Sequence, residues 1–205
     1  MRRIAIAAFS LGLAACLPVL AQNVSTNPAQ GPTGLYTVDE RHTQVLFSVL
    51  HLGLTDYFGR FDRISGTLNY DGAQPGRSNV SISVDMTSLD VPNAELDGML
   101  KGASVFDSQH FPAATFKSTA ITRTGPNTGQ IAGLLTIRNV TRAVTLDATF
   151  NGGEPNPMGG GYALGFRATA TIRRSDFGLN HTMWSQFVSD DVHLIIEAMF
   201  DQQRG

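Results

Sequence analysis

The sequence of 205 residues predicts an all-β protein, an eight-stranded antiparallel up-and-down β-barrel with one or two short helices. From Leu35 onward apolar and polar residues alternate with a period of two, which is typical of strands that bury one face. Eight such segments follow one another, with turn-forming residues between them. Closing eight sequential strands into a barrel removes exposed edges, whereas a two-sheet sandwich is the alternative that the alternation leaves open.

Residues 1–21 have the layout of a secretory signal peptide. Arg2 and Arg3 precede an apolar stretch from Ile4 to Leu17, and Ala21 stands where a signal peptidase would cut. The stretch is shorter than the roughly 20 residues of a membrane-spanning helix. A lipoprotein signal that leaves Cys16 lipidated is the alternative. The apolar residues that continue after Cys16 favour the cleaved form, and both forms predict export to the periplasm.

The mature chain is expected to be a single domain without disulfides. Residues 22–34 are polar and rich in turn formers, which predicts a flexible leader, and residues 35–203 are predicted to form the barrel. Loss of Arg2 and Arg3 with the signal peptide takes the formal net charge from −2 to −4, so no large basic surface is available for nucleic acid. Cys16 is the only cysteine, so the barrel depends on its hydrophobic core.

The alternation also predicts which side chains face the barrel interior, because residues two apart point to the same side of a strand. In chain order the eight inward faces are Val45, Phe47, Val49 and His51; Ile64, Gly66, Leu68 and Tyr70; Val80, Ile82, Val84 and Met86; Ala114, Phe116, Ser118 and Ala120; Ile131, Gly133, Leu135 and Ile137; Val140, Arg142, Val144, Leu146, Ala148 and Phe150; Tyr162, Leu164, Phe166, Ala168, Ala170 and Ile172; and Val192, Leu194, Ile196, Ala198 and Phe200. Ala94 to Lys101 is predicted to be a helix, with Asn93 as its N-cap and Leu96, Met99 and Leu100 on one face.

Small inward residues predict room for a ligand, because an eight-stranded barrel is either filled by its side chains or holds one slender molecule. They are Gly66, Ala114, Ser118, Gly133, Ala168 and Ala170. Aromatic residues near strand ends, among them Phe61, Phe106, Phe177 and Trp184, are expected either to cap the core or to form a rim around an opening. The sequence does not decide between these two roles.

The histidines show no metal-binding or catalytic spacing. His42 and His51 have opposite parity, so an unbroken strand turns them to opposite faces, and the chain contains no HxH, HxxxH or HExxH. No serine-nucleophile or phosphate-loop motif is present. We therefore predict no metal site, no required cofactor and no enzyme activity. His51 is expected to be a buried, hydrogen-bonded histidine, with a polar anchor for a ligand head group as the alternative.

Several segments resemble the YceI-like family, over Tyr36 to Phe200. The most specific are FDSQHFPAATFKS from Phe106 to Ser118, LTIRNVTRAVTL from Leu135 to Leu146, and RRSDFG from Arg173 to Gly178. One departure is Asn139, which stands where the family usually has glycine. Asparagine tolerates the left-handed turn geometry that glycine supplies, so we still expect a two-residue hairpin turn there.

The resemblance implies an extended, lipocalin-like barrel in the periplasm that encloses an apolar pocket for a long isoprenoid lipid, such as a polyprenyl chain or an isoprenoid quinone. We expect the lipid to contact inward and rim residues: Phe47, Val49, His51, Phe61, Ile82, Val84, Met86, Met99, Phe106, Phe116, Leu135, Ile137, Phe166, Phe177 and Trp184. His51 is the first candidate for the head group, followed by Arg174 and Asp176, although these last two are also expected to form an ion pair that locks a turn.

Two other function classes stay open on the sequence. One is a quinone-linked redox partner or an enzyme that acts on the bound lipid, and the other is a structural or interaction barrel without a ligand. The expected partners are the lipid itself and, transiently, the inner membrane. Exposed rim aromatics are compatible with a homodimer, which nothing in the pattern requires.

Overall fold

The computed structural model describes residues 24–156, 161–179 and 183–203, excluding the side chains of Met183 and Trp184. The predicted signal peptide with Cys16, as well as His181, lies outside the described residues. The strands are β1 Gly34–Val38, β2 Gln44–His51, β3 Thr55–Phe61, β4 Ile64–Tyr70, β5 Asn79–Asp85, β6 Leu89–Asp90, β7 Ala113–Arg123, β8 Thr128–Ile137, β9 Val140–Pro155, β10 Tyr162–Arg173 and β11 Val188–Gln202. One α-helix, α1, spans Ala94–Lys101, and 3₁₀ turns span Pro28–Gln30, Pro75–Arg77, Met86–Ser88, Arg174–Phe177 and Met183–Gln186.

These strands occupy eight positions in one closed antiparallel barrel. β1 and β2 lie one after the other along β11, with Val38 opposite Phe200 and Val45 opposite Ile196. β4 pairs with β1, and β3 pairs with β2. In the next position β5 pairs with β4, and β6 pairs with β3. β7 to β11 follow in chain order from β5. The predicted eight-stranded up-and-down barrel is confirmed, with three strands broken in two, and the two-sheet sandwich is wrong.

The break between β1 and β2 is organised by the buried carboxylate of Asp39. This carboxylate accepts hydrogen bonds from the backbone N–H of Arg41 at 2.9 Å and from Nδ1 of His42 at 2.7 Å. Burial raises the pKa of Asp39, but the hydrogen bonds from His42 and Arg41 outweigh burial and lower the pKa to about 2. His42 therefore belongs to a turn and not to the strand that carries His51.

The other two breaks, β3 to β4 and β5 to β6, share the buried hydroxyl of Ser88. Its Oγ accepts hydrogen bonds from the backbone N–H groups of Asp62 at 3.2 Å and Arg63 at 3.1 Å, and it donates to the carbonyl of Asp85 at 2.6 Å. Backbone groups that lack strand partners at the break are thus paired. The chain then passes from β6 through α1 to β7, so α1 contributes to the barrel wall at this end.

Two local predictions can be compared directly with the structure. The helix has the predicted bounds, and the side chain of Asn93 accepts a hydrogen bond from the backbone N–H of Leu96 at 2.9 Å. The β8–β9 connection is the predicted two-residue turn, but Arg138, at φ 55°, takes the left-handed conformation that was expected of Asn139. Among the described residues, no helix is long and apolar enough to cross a membrane.

A β-bulge in β7 changes which residues face the interior. The register against β8 shifts between Ser118 and Ala120, so two residues of β7 oppose one of β8. Such a shift reverses the parity of all later residues in the strand. Ala120 is therefore exposed and Ile121 lines the interior, contrary to the predicted inward face.

Residues 24–33, the described part of the predicted flexible leader, pack against one end of the barrel, and we call them the plug. Ser25 exchanges backbone hydrogen bonds with Gly153 at 2.9 Å. The hydroxyl of Tyr70 donates to the carbonyl of Pro28 at 2.8 Å, and that of Tyr36 donates to the carbonyl of Pro32 at 2.7 Å. The plug is thus a fixed part of the fold, and the barrel domain begins before residue 35.

Candidate functional site

A cavity with two lobes occupies the barrel. The lobe beside the plug has a volume of about 230 Å³ and is called the plug lobe; the lobe at the opposite end has a volume of about 600 Å³ and is called the mouth lobe. Val45, Val84, Leu135 and Leu194 line both lobes and form the waist between them. The two lobes therefore adjoin one another along the barrel at these four wall residues.

The plug lobe is enclosed by aromatic and aliphatic side chains. The ring of Phe166 lies 5.3 Å from that of Phe150 and 5.9 Å from that of Phe200, centre to centre, and the ring of Tyr70 lies 6.4 Å from that of Phe150. Further apolar wall residues are Ile64, Leu68, Val80, Ile82, Phe116, Ile131, Leu146, Ala148, Ala168, Ile196 and Ala198. A wall of this composition suits a hydrocarbon chain.

The mouth lobe is bounded by strands on one side and by α1 on the other. Leu96, Met99 and Leu100 of α1 face it, as the helical periodicity predicted. The aromatic rings of Phe47, Phe61 and Phe106 follow one another, with centroid distances of 5.7 and 6.1 Å. A side chain at Gly59 would overlap the ring of Phe47, so the glycine makes room for this aromatic series.

Arg174 lines the mouth lobe, but its guanidinium is fully occupied by the protein. Its Nε donates to the carbonyl of Ser189 at 2.9 Å, and its terminal nitrogens donate to the carbonyls of Leu179, Ser185 and Val188 and to the hydroxyl of Ser185. A guanidinium has five N–H donors, and all five are used. Arg174 therefore holds Leu179, Ser185 and the start of β11 together. The prediction that it is available to a ligand head group is wrong.

Asp176 and Phe177 also differ from their predicted roles. Asp176 pairs with Arg173, whose Nε lies 3.2 Å from Oδ2, and not with Arg174. Neither Asp176 nor Phe177 is among the residues that line the two lobes. Phe177 is a core residue, only 2% exposed, in the hydrophobic cluster beside the mouth lobe. The RRSDFG motif thus stabilises the barrel end and does not supply a head-group site.

His51 lies at the mouth and is exposed, so the favoured prediction of a buried histidine is wrong. It ends β2 on the same inward face as Phe47 and Val49 and lines the mouth lobe. This position is compatible with the alternative prediction, in which His51 anchors the head group of a ligand.

Tyr57 is a residue of the mouth lobe that the sequence did not predict. Tyr57 lies on β3 opposite Val49 and lines the lobe. Its oxygen is buried and has no hydrogen-bond partner in the described part of the chain. The signal was present in the alternation of Tyr57, Gly59 and Phe61 along β3, but the glycine interrupts the apolar pattern.

Several large apolar side chains are exposed on the outer surface around the mouth, next to the exposed Asp56, which pairs with Leu50. The hairpin between β2 and β3 exposes Leu50, Leu52 and Leu54, the last of these at 78%, and Phe58 on β3 is 53% exposed. The backbone N–H of Leu52 donates to the carbonyl of Phe187 at 2.7 Å, which ties the hairpin to the chain entering β11. Residues 50–55 contain no charged side chain. We call this exposed surface the mouth rim.

Most predicted contact residues do line the cavity. In the mouth lobe or at the waist these are Phe47, Val49, His51, Phe61, Val84, Met86, Met99, Phe106, Leu135 and Ile137. In the plug lobe they are Ile82, Phe116 and Phe166. Phe177 lies in the core, and the side chain of Trp184 is outside the described residues. Across residues 24–156, 161–179 and 183–203, no three His, Cys, Asp or Glu side chains come together as metal ligands would.

Comparison with protein families adds an independent observation. The sequence model described as YceI-like domain matches residues 36–200. Among curated proteins, a UPF0312 protein from Pseudomonas savastanoi pv. phaseolicola is 36% identical over 146 residues, which cover 70% of this chain and 76% of that protein. A UPF0312 protein from Pseudomonas putida strain W619 is 38% identical over the same length and coverage.

Solved structures share the fold. BcnA from Burkholderia cenocepacia superposes with a TM-score of 0.72 at 24% identity, covering 79% of this chain and 98% of that one. A Campylobacter jejuni YceI protein gives a TM-score of 0.66 at 25% identity, covering 75% and 90%. A polyisoprenoid binding domain from Saccharophagus degradans, implicated in plant cell wall breakdown, gives 0.63 at 13% identity, covering 82% and 98%.

Proposed function

This chain belongs to the YceI-like family, and from that membership together with its elongated apolar cavity we propose that it binds one long-chain isoprenoid lipid inside the barrel. The role is binding and carriage or sequestration, without chemistry on the lipid. The observation that carries the proposal is the pair of adjoining apolar lobes inside one barrel, which meet at a waist of four aliphatic residues. The polyisoprenoid binding domain from Saccharophagus degradans, which has the same fold, supports the class of ligand.

The dimensions of the barrel fit this ligand. β10 has 12 residues, which at about 3.3 Å per residue corresponds to a strand of roughly 40 Å. Each buried methylene contributes about 0.8 kcal/mol, so ten of them supply about 8 kcal/mol before the cost of ordering the tail and fixing the ligand. Micromolar affinity corresponds to about 8 kcal/mol, so a longer isoprenoid chain has the surplus that binding requires.

The mouth rim is proposed as the surface that meets the membrane when lipid enters or leaves. An isoprenoid tail that moves between bilayer and cavity is shielded from water if the opening lies against the bilayer. Exposed leucines at the hairpin favour such contact, because their transfer into the acyl region is favourable. Asp56, which pairs with Leu50, marks the edge of this apolar surface. The location that fits this proposal is the periplasm, where an exported barrel shelters a water-insoluble lipid beside the inner membrane.

The proposal is tested by extracting the protein with organic solvent after purification from the periplasm without detergent. We expect about one isoprenoid molecule per protein chain by mass spectrometry. The same extraction of protein unfolded and refolded in the absence of lipid serves as the control and should yield none. A natively purified protein that is folded but free of isoprenoid would contradict the proposal of a tightly held lipid.

A further inference from the structure

The wall of the mouth lobe contains a seam where strand pairing is interrupted. β3 pairs with β2 along its whole length, but on its other edge only Arg60 and Phe61 pair, with the two residues of β6. β7 pairs with β5 and β8. In the described part of the chain, no strand ladder joins β7 to β6 or to residues 55–59 of β3. This stretch of the wall is therefore not closed by backbone hydrogen bonds between strands.

Residues 93–111 connect β6 to β7 across the seam, and we call them the lid. The side chains of the lid that line the mouth lobe include four large apolar ones, Leu96, Met99, Leu100 and Phe106. Within the described residues, every backbone–backbone hydrogen bond of the lid joins two of its own residues. Its ion pairs, Asp97 with Lys101 and Asp107 with His110, are internal too. The lid is thus a self-contained unit that packs on the barrel through side chains.

One side chain of the β8–β9 turn ties the lid to the barrel. A terminal nitrogen of Arg138 donates to the carbonyl of Val105 at 3.3 Å, and the guanidinium carbon lies 5.4 Å from the centre of the Phe111 ring. Among the described residues, this is the only hydrogen bond between the lid and the rest of the chain. Arg138 lines neither lobe, so it can be replaced without changing the surface that a ligand contacts.

Another segment that borders the mouth lobe outside the strands, the chain that begins at Arg174, is held more firmly. Arg174 donates five hydrogen bonds to protein acceptors. Ser175 donates to the carboxylate of Asp190 through its backbone N–H at 2.9 Å and its hydroxyl at 2.5 Å. Moving that segment breaks all these bonds, whereas moving the lid breaks one and otherwise uncovers apolar side chains, which a lipid can cover again.

We propose that the lid swings away from the barrel and lets the lipid enter and leave sideways, through the seam between β3 and β7. This inference rests on the proposed function and adds the route that the ligand takes. Both ends of the lid are fixed, one by the pairing of β6 with β3 and the other by the hydrogen bond from the N–H of Met86 to the carbonyl of Pro112 at 2.8 Å. Phe58 of the mouth rim lies on β3 at the edge of the seam, so the portal opens beside the surface proposed to meet the membrane.

The test of the lid itself needs no lipid. Ala114 is buried in the cluster against which the lid packs, and Ala168 is similarly buried in the cluster beside the plug. Ala114→Cys and Ala168→Cys, in chains that carry Cys16→Ser, are reacted with a maleimide dye with and without Arg138→Asn. Asparagine tolerates the left-handed conformation of residue 138, at φ 55°. We expect Arg138→Asn to speed labelling at position 114 about five- to tenfold, the effect of losing one hydrogen bond and a cation–π contact, and to leave position 168 unchanged.

Arg142→Asn is the matched control. Arg142 lies on the same hairpin, is exposed, and donates to the carbonyl of its neighbour Thr141 at 2.9 Å. The substitution removes the same charge without touching the lid, so both labelling rates should stay at the values of the parent proteins. Equal acceleration at positions 114 and 168 in Arg138→Asn would indicate a general loosening of the barrel and would overturn the lid, as would unchanged labelling at position 114.

Exchange kinetics test whether the lid is the route of the lipid. After removal of endogenous lipid, radiolabelled geranylgeraniol, an isoprenoid alcohol, is loaded from and released to methyl-β-cyclodextrin, so that no membrane takes part. Freeing the lid lowers the barrier for entry and exit alike, so Arg138→Asn should raise both rate constants about five- to tenfold and leave Kd within about twofold. Val49→Ala, which shortens a strand side chain of the mouth lobe, should raise only the release rate constant.

The outcomes separate this inference from the proposed function. If geranylgeraniol does not bind wild type, the isoprenoid proposal fails even where labelling shows that the lid moves. If it binds and Arg138→Asn accelerates neither labelling nor exchange, the cavity proposal stands and the lid is refuted. Faster labelling at position 114 without faster exchange would mean that the lipid passes through the end of the barrel and not through the seam.

Discussion

The two ends of the barrel are built differently, although the same eight strand positions form both. At the plug end, buried tyrosine hydroxyls are satisfied by carbonyls of residues 24–33, and aromatic rings pack against one another. At the mouth end, a buried tyrosine hydroxyl lacks a partner and leucines are exposed around the opening. The first end is closed by residues of the chain itself, whereas the second exposes an apolar surface.

Blocking the waist is expected to have the largest effect on lipid binding, because the proposed lipid extends from one lobe past the waist into the other. Val84→Trp places an indole between the lobes, and excluding only two methylenes costs about 1.6 kcal/mol, or more than tenfold in affinity. We expect co-purified isoprenoid to fall by about tenfold or more by mass spectrometry. Ser83→Trp, on the outward face of the same strand, is the matched control and should retain its lipid. A folded Val84→Trp protein with the lipid content of wild type would show that the waist is not part of the lipid site.

Displacing the plug is expected to destabilise the closed end. A Cβ at Gly72 would overlap the carbonyl oxygen of Pro28, so Gly72→Ala forces the plug away from Tyr70. We expect a loss of about 2 kcal/mol in the free energy of unfolding by urea denaturation. Limited proteolysis should then cut residues 24–33 first.

The matched control lies at the opposite end. A Cβ at Gly98 of α1 has no atom within 4 Å, so Gly98→Ala should be neutral or stabilise the protein by up to about 1 kcal/mol. Equal losses in Gly72→Ala and Gly98→Ala would show that the plug end is no more rigid than the mouth end.

The alternation of the sequence predicted the wall of the cavity well, since it depends only on which face of a strand is buried. Phe47, Val49 and His51 line the mouth lobe because β2 is unbroken over these residues. The same reasoning failed beyond Ser118, where one extra residue reverses the parity of β7. A bulge of this kind has no marker in the residues themselves.

Features that depend on distant backbone groups were not predictable. The plug has the polar composition of a leader, and its partner Gly153 lies more than a hundred residues away in sequence. Arg174 looked available for a ligand, yet its acceptors are mainly backbone carbonyls, which carry no sequence signal. The unpartnered state of Tyr57 likewise depends on what surrounds the hydroxyl in the folded barrel.

Asp39 forms the turn between β1 and β2. Its contribution to the free energy of unfolding is expected to depend on pH. The pKa of Asp39 in the folded protein is about 2, below the ordinary value of 3.8. The ionised carboxylate therefore stabilises the fold at any pH above the ordinary pKa. That contribution, about 2 kcal/mol, is lost as the pH falls through the folded pKa.

The measurement is the difference in unfolding free energy between wild type and Asp39→Asn as a function of pH. We expect about 2 kcal/mol near pH 7 and a decrease from about pH 5 toward pH 2. Taking the difference removes the contributions of other acids whose pKa values are lowered, such as Asp85 and Asp190. A difference that is constant with pH would mean that the Asp39 turn stabilises the barrel without its charge.

A charge in the mouth rim is expected to have the smallest effect. It should change the rate of lipid transfer and leave the stability of the protein nearly unchanged. Leu54 is 78% exposed, so Leu54→Glu should leave the unfolding free energy within about 0.5 kcal/mol of wild type. Because a carboxylate disfavours contact with acyl chains, we expect lipid transfer between neutral phosphatidylcholine vesicles to slow by about threefold. Leu134→Glu, at a site on β8 that is 46% exposed, should transfer lipid at the wild-type rate. If the two variants slow transfer equally, the mouth rim has no special role in meeting the bilayer, and the asymmetry of the barrel concerns only how the ligand is held.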